Sequence, residues 1–184
     1  MDLTHYQKPA LPGDRGRGWK IAWYLCSLVL FQSGLVLPSA LRAAVLRAFG
    51  ARVGKGLVMR ARITVKYPWF LEIGDHVWIG EGVWIDNHCM VRLGGDVCVS
   101  QGAYLFTGNH DYAAPSFAFF CRPIAVEDGV WIGARALVCP GARLRAGVVL
   151  AAGSVFHAGS EPGMVYAGNP AIAVKPRTRC SSDL

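Results

Sequence analysis

The side chains here whose type could support chemistry near neutral pH are five imidazoles and six thiols. An imidazole, with an ordinary pKa of about 6.5, can take up or release a proton at physiological pH. The candidates are His5, His76, His88, His110 and His157. A zinc site would need three of them as ligands. His88 and His110 could contribute, but no tight pair of histidines falls on adjacent strands. The cysteines (Cys26, Cys89, Cys98, Cys121, Cys139, Cys180) contain no CxxC spacing. Several sit where the local pattern wants a small residue, which points to structural thiols in a reduced, cytoplasmic chain.

What must position these groups is a repeat. After Gly50 an aliphatic residue returns every sixth position: Val53, Met59, Val65. Two extra residues reset the frame to Ile73, Ile79, Ile85 and Val91, and two more reset it to Val99 and Leu105. An excursion over 107–125 follows, and the frame resumes at Val126 and runs through Ile132, Val138, Leu144, Leu150 and Phe156. The fifth position is small or aliphatic. The fourth is repeatedly glycine (Gly56, Gly82, Gly102, Gly129, Gly147, Gly153), as a corner with positive φ demands. Fifteen hexads sharing these preferences define an all-β fold, a hexapeptide-repeat parallel β-helix. Each inward side chain stacks on its equivalent one coil away at about 4.8 Å, and grouping the hexads in threes predicts five coils. The period does not fix handedness; the ordinary crossover rule favours a right-handed winding.

On this frame His76 and His88 occupy corners, where exposure is the default, and His157 lies near the end of the array. His110 closes the Leu105 hexad where the chain leaves the prism, so its side chain points outward beside the excursion. It could be a general base or an ordinary loop histidine. Three hexads back from Leu105 is Ile85, so Asp86 and Asn87 stack one coil from Phe106 and Thr107, near His110. Asn87 could hold an acceptor or steady an oxyanion; Asp86 could orient the imidazole or simply close a corner with an Asx-type hydrogen bond. Trp84 stacks beneath Tyr104, both outward, as a subunit interface or a sugar platform. The excursion carries Tyr112, Phe117, Phe119 and Phe120, an apolar loop expected to fold over a neighbouring subunit.

The array ends in Gly168-Asn169-Pro170-Ala171. With the runs Ile63-Thr64-Val65-Lys66-Tyr67-Pro68-Trp69, Val77 to Asn87, Ser100 to Tyr104 and Thr107-Gly108-Asn109-His110-Asp111-Tyr112, the chain resembles the left-handed β-helix acyltransferases. Among them it is most similar to bacterial polysaccharide O-acetyltransferases of the colanic-acid-biosynthesis type. The resemblance implies a left-handed prism, a homotrimer, acetyl-CoA as donor, a sugar hydroxyl as acceptor, and His110 as general base without a metal. It also implies backbone contacts to pantetheine at Ala134 and Ala152. Lys175 and Arg177, just past the last coil, could meet the coenzyme's phosphates or form a solvated basic tail. Two other readings share the fold: a metal-dependent, carbonic-anhydrase-like β-helix, and a scaffold with no catalysis.

The totals agree with one domain. The 184 residues are 53% hydrophobic and 17% charged, ample for a core. The formal net charge is +7, but the basic residues are scattered, without the aromatic-basic stripe that nucleic acid binding needs; a solvated basic face or an anionic partner suits them better. Residues 1–18 are a polar tail without a signal-peptide pattern, 19–50 a helical segment, 51–176 the repeats and 177–184 a C-terminal tail. Trp19 to Leu37 is apolar but interrupted by Ser27, Gln32, Ser33 and Gly34, which favours a packed or membrane-surface helix over a span. Pro38-Ser39 breaks it, and a second short helix runs to Gly50.

Overall fold

The computed structural model describes residues 3, 6, 11 and 13–178. Hexads fold as short strands separated by corners, and every third strand joins the same parallel sheet. The first face is built from Arg52–Val53, Leu71–Ile73, Val91–Leu93, Ile124–Val126 and Arg143–Leu144. The second runs from Val58–Met59 up to Val149–Leu150, the third from Thr64–Val65 to Val155–Phe156. The result is a parallel β-solenoid of about six turns rather than five. The additional turn begins at Met164–Gly168, which stacks on Val149–Leu150 and folds back as a hairpin with Ala171–Pro176.

Inward residues form the expected columns: Met59, Ile79, Val99, Ile132 and Leu150 on the second face, and Val65, Ile85, Leu105, Val138 and Phe156 on the third. All are at most 2% exposed. One frame assignment differs. Leu93, not Val91, stacks on Ile73, while Val91 stacks on Leu71. Both point inward because they lie two apart on one strand, so spacing alone could not say where the reset falls. The structure puts it before Leu93. Both two-residue additions and the long excursion therefore sit at one corner, between the third and first faces. Four fourth positions that lack glycine, at Arg62, His76, Asp96 and Arg135, still adopt the left-handed backbone (φ 55–57°).

The N-terminal helices close the first coil. Helix α1 (Arg17–Ser27) continues as a π-turn over Leu28–Gln32, and α2 spans Ser39–Ala48. Trp23, Ser27 and Phe31, at i, i+4 and i+8, form the buried stripe. The Trp23 indole N–H donates to the Val65 carbonyl at 2.9 Å, and the Ile63 N–H to the Phe31 carbonyl at 3.0 Å. Arg42 is 1% exposed, and its guanidinium donates to the carbonyls of Leu30, Leu35, Leu37 and Met59. These bonds compensate the cost of burying a cation. Among the described residues no helix is long and apolar enough to cross a membrane.

Candidate active site

Three stacked insertions meet at the corner between the third and first faces. On the first coil, Pro68–Phe70 form a 3₁₀ turn. Asn87, on the second coil, is fully buried above it. Its Oδ1 accepts the Tyr67 N–H at 3.0 Å, and its Nδ2 donates to the carbonyls of Tyr67 (2.7 Å) and Phe70 (3.0 Å). The amide is thus spent on the backbone beneath it and cannot reach an acceptor or an oxyanion, which corrects the expectation for Asn87. Thr107, also fully buried, repeats the device one coil up: its Oγ1 accepts the N–H groups of His88 (2.8 Å) and Cys89 (3.2 Å).

From Thr107 the chain leaves as an antiparallel hairpin, Gly108–His110 against Phe119–Cys121. Gly108 is required at its root, because a Cβ there would lie 2.7 Å from the Phe119 ring. Within the chain the Phe117 and Phe119 rings are half-buried against the hairpin's own histidine. Phe117 stacks on the His110 imidazole (4.2 Å, 6°), and Phe119 meets it edge-on at 5.3 Å. Phe120 and Tyr112 are the ones left exposed.

His110 Nδ1 lies 2.9 Å from the Phe117 carbonyl oxygen. A carbonyl only accepts, so Nδ1 carries a proton, and in the neutral ring Nε2 keeps the lone pair. Phe117 holds a left-handed conformation to present that carbonyl (φ 49°). The imidazole is therefore oriented by the backbone of its own loop. The Asp86 carboxylate serves other partners: Lys66 Nζ at 2.9 Å, the Tyr104 hydroxyl at 3.2 Å and His88 Nε2 at 3.5 Å. This corrects the expectation that Asp86 orients His110. Burial first, and then the Asp86 charge and hydrogen bond, push the Tyr104 phenol up to about 12. The Trp84 and Tyr104 rings pack against each other at 4.9 Å with a 31° tilt, as their register predicts, and Phe106 continues the ladder at 5.0 Å from Tyr104.

His88, assigned to solvent by its corner position, is instead part of the site. Its side chain is 13% exposed, lies 4.8 Å from the Phe119 ring and sits edge-on to Tyr67. Phe119 therefore separates two imidazoles, His88 and His110. The available signal was the excursion itself, which must fold back over the corner it leaves. His76 is exposed, as expected of a corner, and so is His157.

The residues expected to meet the donor lie elsewhere. Ala134 and Ala152 stack at the corner between the second and third faces, where the Gly153 N–H donates to the Ala134 carbonyl at 2.8 Å. A Cβ on Gly133 would stand 2.6 Å from the Ala152 nitrogen, so the two coils touch backbone to backbone there. Within one chain the third face separates this corner from His110. Lys175 is exposed opposite Val165. One guanidinium nitrogen of Arg177, Nη1, donates to the carbonyls of Gly129 (2.8 Å) and Gly147 (3.1 Å), clasping the remaining corner. Among the described residues no three His, Cys, Asp or Glu side chains cluster so as to hold a metal ion.

A three-sided parallel solenoid of short strands defines a class of fold, and comparison with known proteins agrees with it. No protein-family profile matches the chain. A curated relative in Escherichia coli (strain K12), "Putative colanic acid biosynthesis acetyltransferase WcaF", is 32% identical over 179 residues, covering 96% of this chain and 97% of the relative. A solved hexapeptide-repeat acetyltransferase from Vibrio cholerae superposes with a TM-score of 0.79 at 25% identity, over 88% of this chain and 92% of that one. A galactoside acetyltransferase in complex with coenzyme A shares the fold (TM-score 0.77, 20% identity, 90% of this chain and 85% of that one). The chain belongs to the hexapeptide-repeat acetyltransferase family.

Proposed function

We propose that this protein is an O-acetyltransferase that moves an acetyl group from acetyl-CoA to a sugar hydroxyl in polysaccharide biosynthesis, with His110 as the general base. The observation that carries the reading is the Nδ1–Phe117 hydrogen bond, which in the neutral imidazole leaves the Nε2 lone pair to accept a proton. The acceptor oxygen attacks the thioester carbonyl as Nε2 takes its proton. Collapse of the tetrahedral intermediate breaks the C–S bond, and the proton on the imidazole passes to the departing thiolate. Trp84 and Tyr104, ringed by Asp86 and Lys66, form an amphipathic wall suited to a sugar ring. Asp86 and Lys66 can accept from and donate to its remaining hydroxyls. The names of the relatives, one from colanic acid biosynthesis and one acting on galactosides, support a saccharide acceptor.

The donor site is shared between copies in this reading. The Ala134–Ala152 corner and the His110 corner lie on opposite edges of the third face, so a coenzyme held on the Ala134–Ala152 corner of one prism with its thioester at His110 of the next would run between two copies. The outer surfaces support a homotrimer. The second and third faces expose Trp78, Trp131 and Trp84, whereas the first carries the ion-paired ladder Arg52–Glu72–Arg92 and suits solvent. Tyr112, 89% exposed at the loop tip, is placed to reach a neighbour. The reaction belongs in the cytoplasm, with the N-terminal helices available to the inner face of the membrane.

Release of free CoA from acetyl-CoA, screened against extracted polysaccharide precursors, tests the function. Acceptor-dependent release with a new ester on the saccharide is expected. Absence of thioester cleavage with every acceptor would favour the scaffold reading instead.

A further inference from the structure

The surface farthest from satisfied is the outer side of the N-terminal helices. Ile21, Tyr24, Leu25, Leu28 and Val29 follow the i, i+3, i+4, i+7, i+8 spacing, and all are exposed. They lie opposite the buried Trp23–Ser27–Phe31 stripe, so α1 and its π-turn are apolar on both sides. The loop beyond continues the patch with Leu35 and Val36, the latter 96% exposed. Charge is distributed just as unevenly. From Arg15 to Leu71 the sequence contains no acidic residue. Arg15 and Arg17 are exposed at the start of α1, and Arg62, ion-paired with Glu81 at 3.1 Å, stands beside Gly34 at the far end of the patch.

We infer that this face is a docking surface for the headgroup layer of an anionic phospholipid membrane, into which α1 settles lengthwise. An apolar stripe with a basic rim, on a helix too short to span, is the signature of an element that lies in the interfacial plane. The charge pattern selects lipid over a second copy of the chain, because self-docking would bring the Arg15 and Arg17 rims of two chains together, while the carboxylates beside the patch, Asp14 and Glu81, are already paired with Lys20 and Arg62. The docking face also places the chemistry. A groove of about 360 Å³ between α1 and the third face, lined by Lys20, Tyr24, Gln32, Lys66, Tyr67 and Trp84, runs from the docking helix toward Asp86. His110 stands two coils above the first, about 10 Å along the axis at the strand spacing. The surface therefore presents the active-site corner close to the bilayer. This builds on the membrane-facing placement proposed above and supplies its partner.

The test is co-sedimentation of the full chain with vesicles of phosphatidylcholine alone and of phosphatidylcholine with one-third phosphatidylglycerol, at low and high salt. Salt-sensitive binding to the anionic vesicles is expected, weakened at least tenfold by Leu25→Glu with Val29→Glu. CoA release with a water-soluble acceptor should be unchanged in that variant, which reports folding and separates this inference from the proposed function. Equal partition of wild type and variant, or no binding to either vesicle, would overturn it. So would a fall in the variant's oligomeric state by light scattering, which would assign the patch to a second copy.

Discussion

Asp86 and Asn87 are neighbours on one strand end, and their fates differ because strand side chains alternate. Asp86 faces outward into the Lys66–Tyr104–His88 network, and Asn87 faces in and bolts the coil beneath it. The stacking of this pair near the excursion was legible from the hexad count. Which of the two stays accessible was not, because it depends on the 3₁₀ turn at Pro68–Phe70 that receives the amide. Asn87→Ala should act on stability: it orphans the buried Tyr67 N–H and two carbonyls, at about 1–3 kcal/mol per group. A clear fall in Tm is expected, and a variant with normal Tm but no activity would return Asn87 to the chemistry. Tyr104 gives a pH-dependent readout. Its phenol stays neutral to about 12 in the folded protein. The stability linked to that neutral form is complete below the ordinary tyrosine range near 10 and is lost as pH rises from there toward 12. Spectrophotometric titration should show one late tyrosine, and Asp86→Asn should bring it down, leaving only the part due to burial. An unchanged titration would mean that Asp86 does not bear on Tyr104.

At the scale of elements, the site exists because three coils are irregular at the same corner. The regular corners are filled by glycine or by a residue forced left-handed, and they have no room for a side-chain network. The hairpin Gly108–His110/Phe119–Cys121 folds back over this corner, and Phe119 closes it between the two imidazoles. Sequence identified His110, because the repeat breaks there, but assigned His88 to solvent. Period-six counting knows nothing of a loop that returns. Gly108→Ala tests the hairpin's position. The added methyl would meet the Phe119 ring at 2.7 Å and His88 at 3.2 Å, displacing the loop that orients His110. Activity should fall at least tenfold while the Tm moves little, since the corner lies outside the aliphatic columns. Wild-type turnover would show that the hairpin is free to shift without consequence.

The whole molecule is one column of short strands whose coils are each buried by the next. That much could be read from Val53 to Phe156, because an aliphatic residue at every sixth position matches a coil of six-residue sides and neither a helix nor a simple alternating strand. What could not be read is how the column ends. Met164–Gly168 lies outside the hexad rhythm yet adds a further turn, and Arg42 caps the other end through carbonyls that no local pattern announces. Ile132, fully buried in the middle of its column, tests the frame. Ile132→Asp places a carboxylate where no partner is available, at a cost of several kcal/mol. Little folded protein is expected, and normal thermal unfolding would contradict the assigned register.

The most direct test of the central claim is the kcat/KM of His110→Ala for acceptor-dependent CoA release, measured beside its Kd for acetyl-CoA. Removing a general base at this position predicts a loss of about 10²–10⁴-fold, with coenzyme affinity and Tm close to wild type. A variant within a few-fold of the wild-type rate would contradict the account.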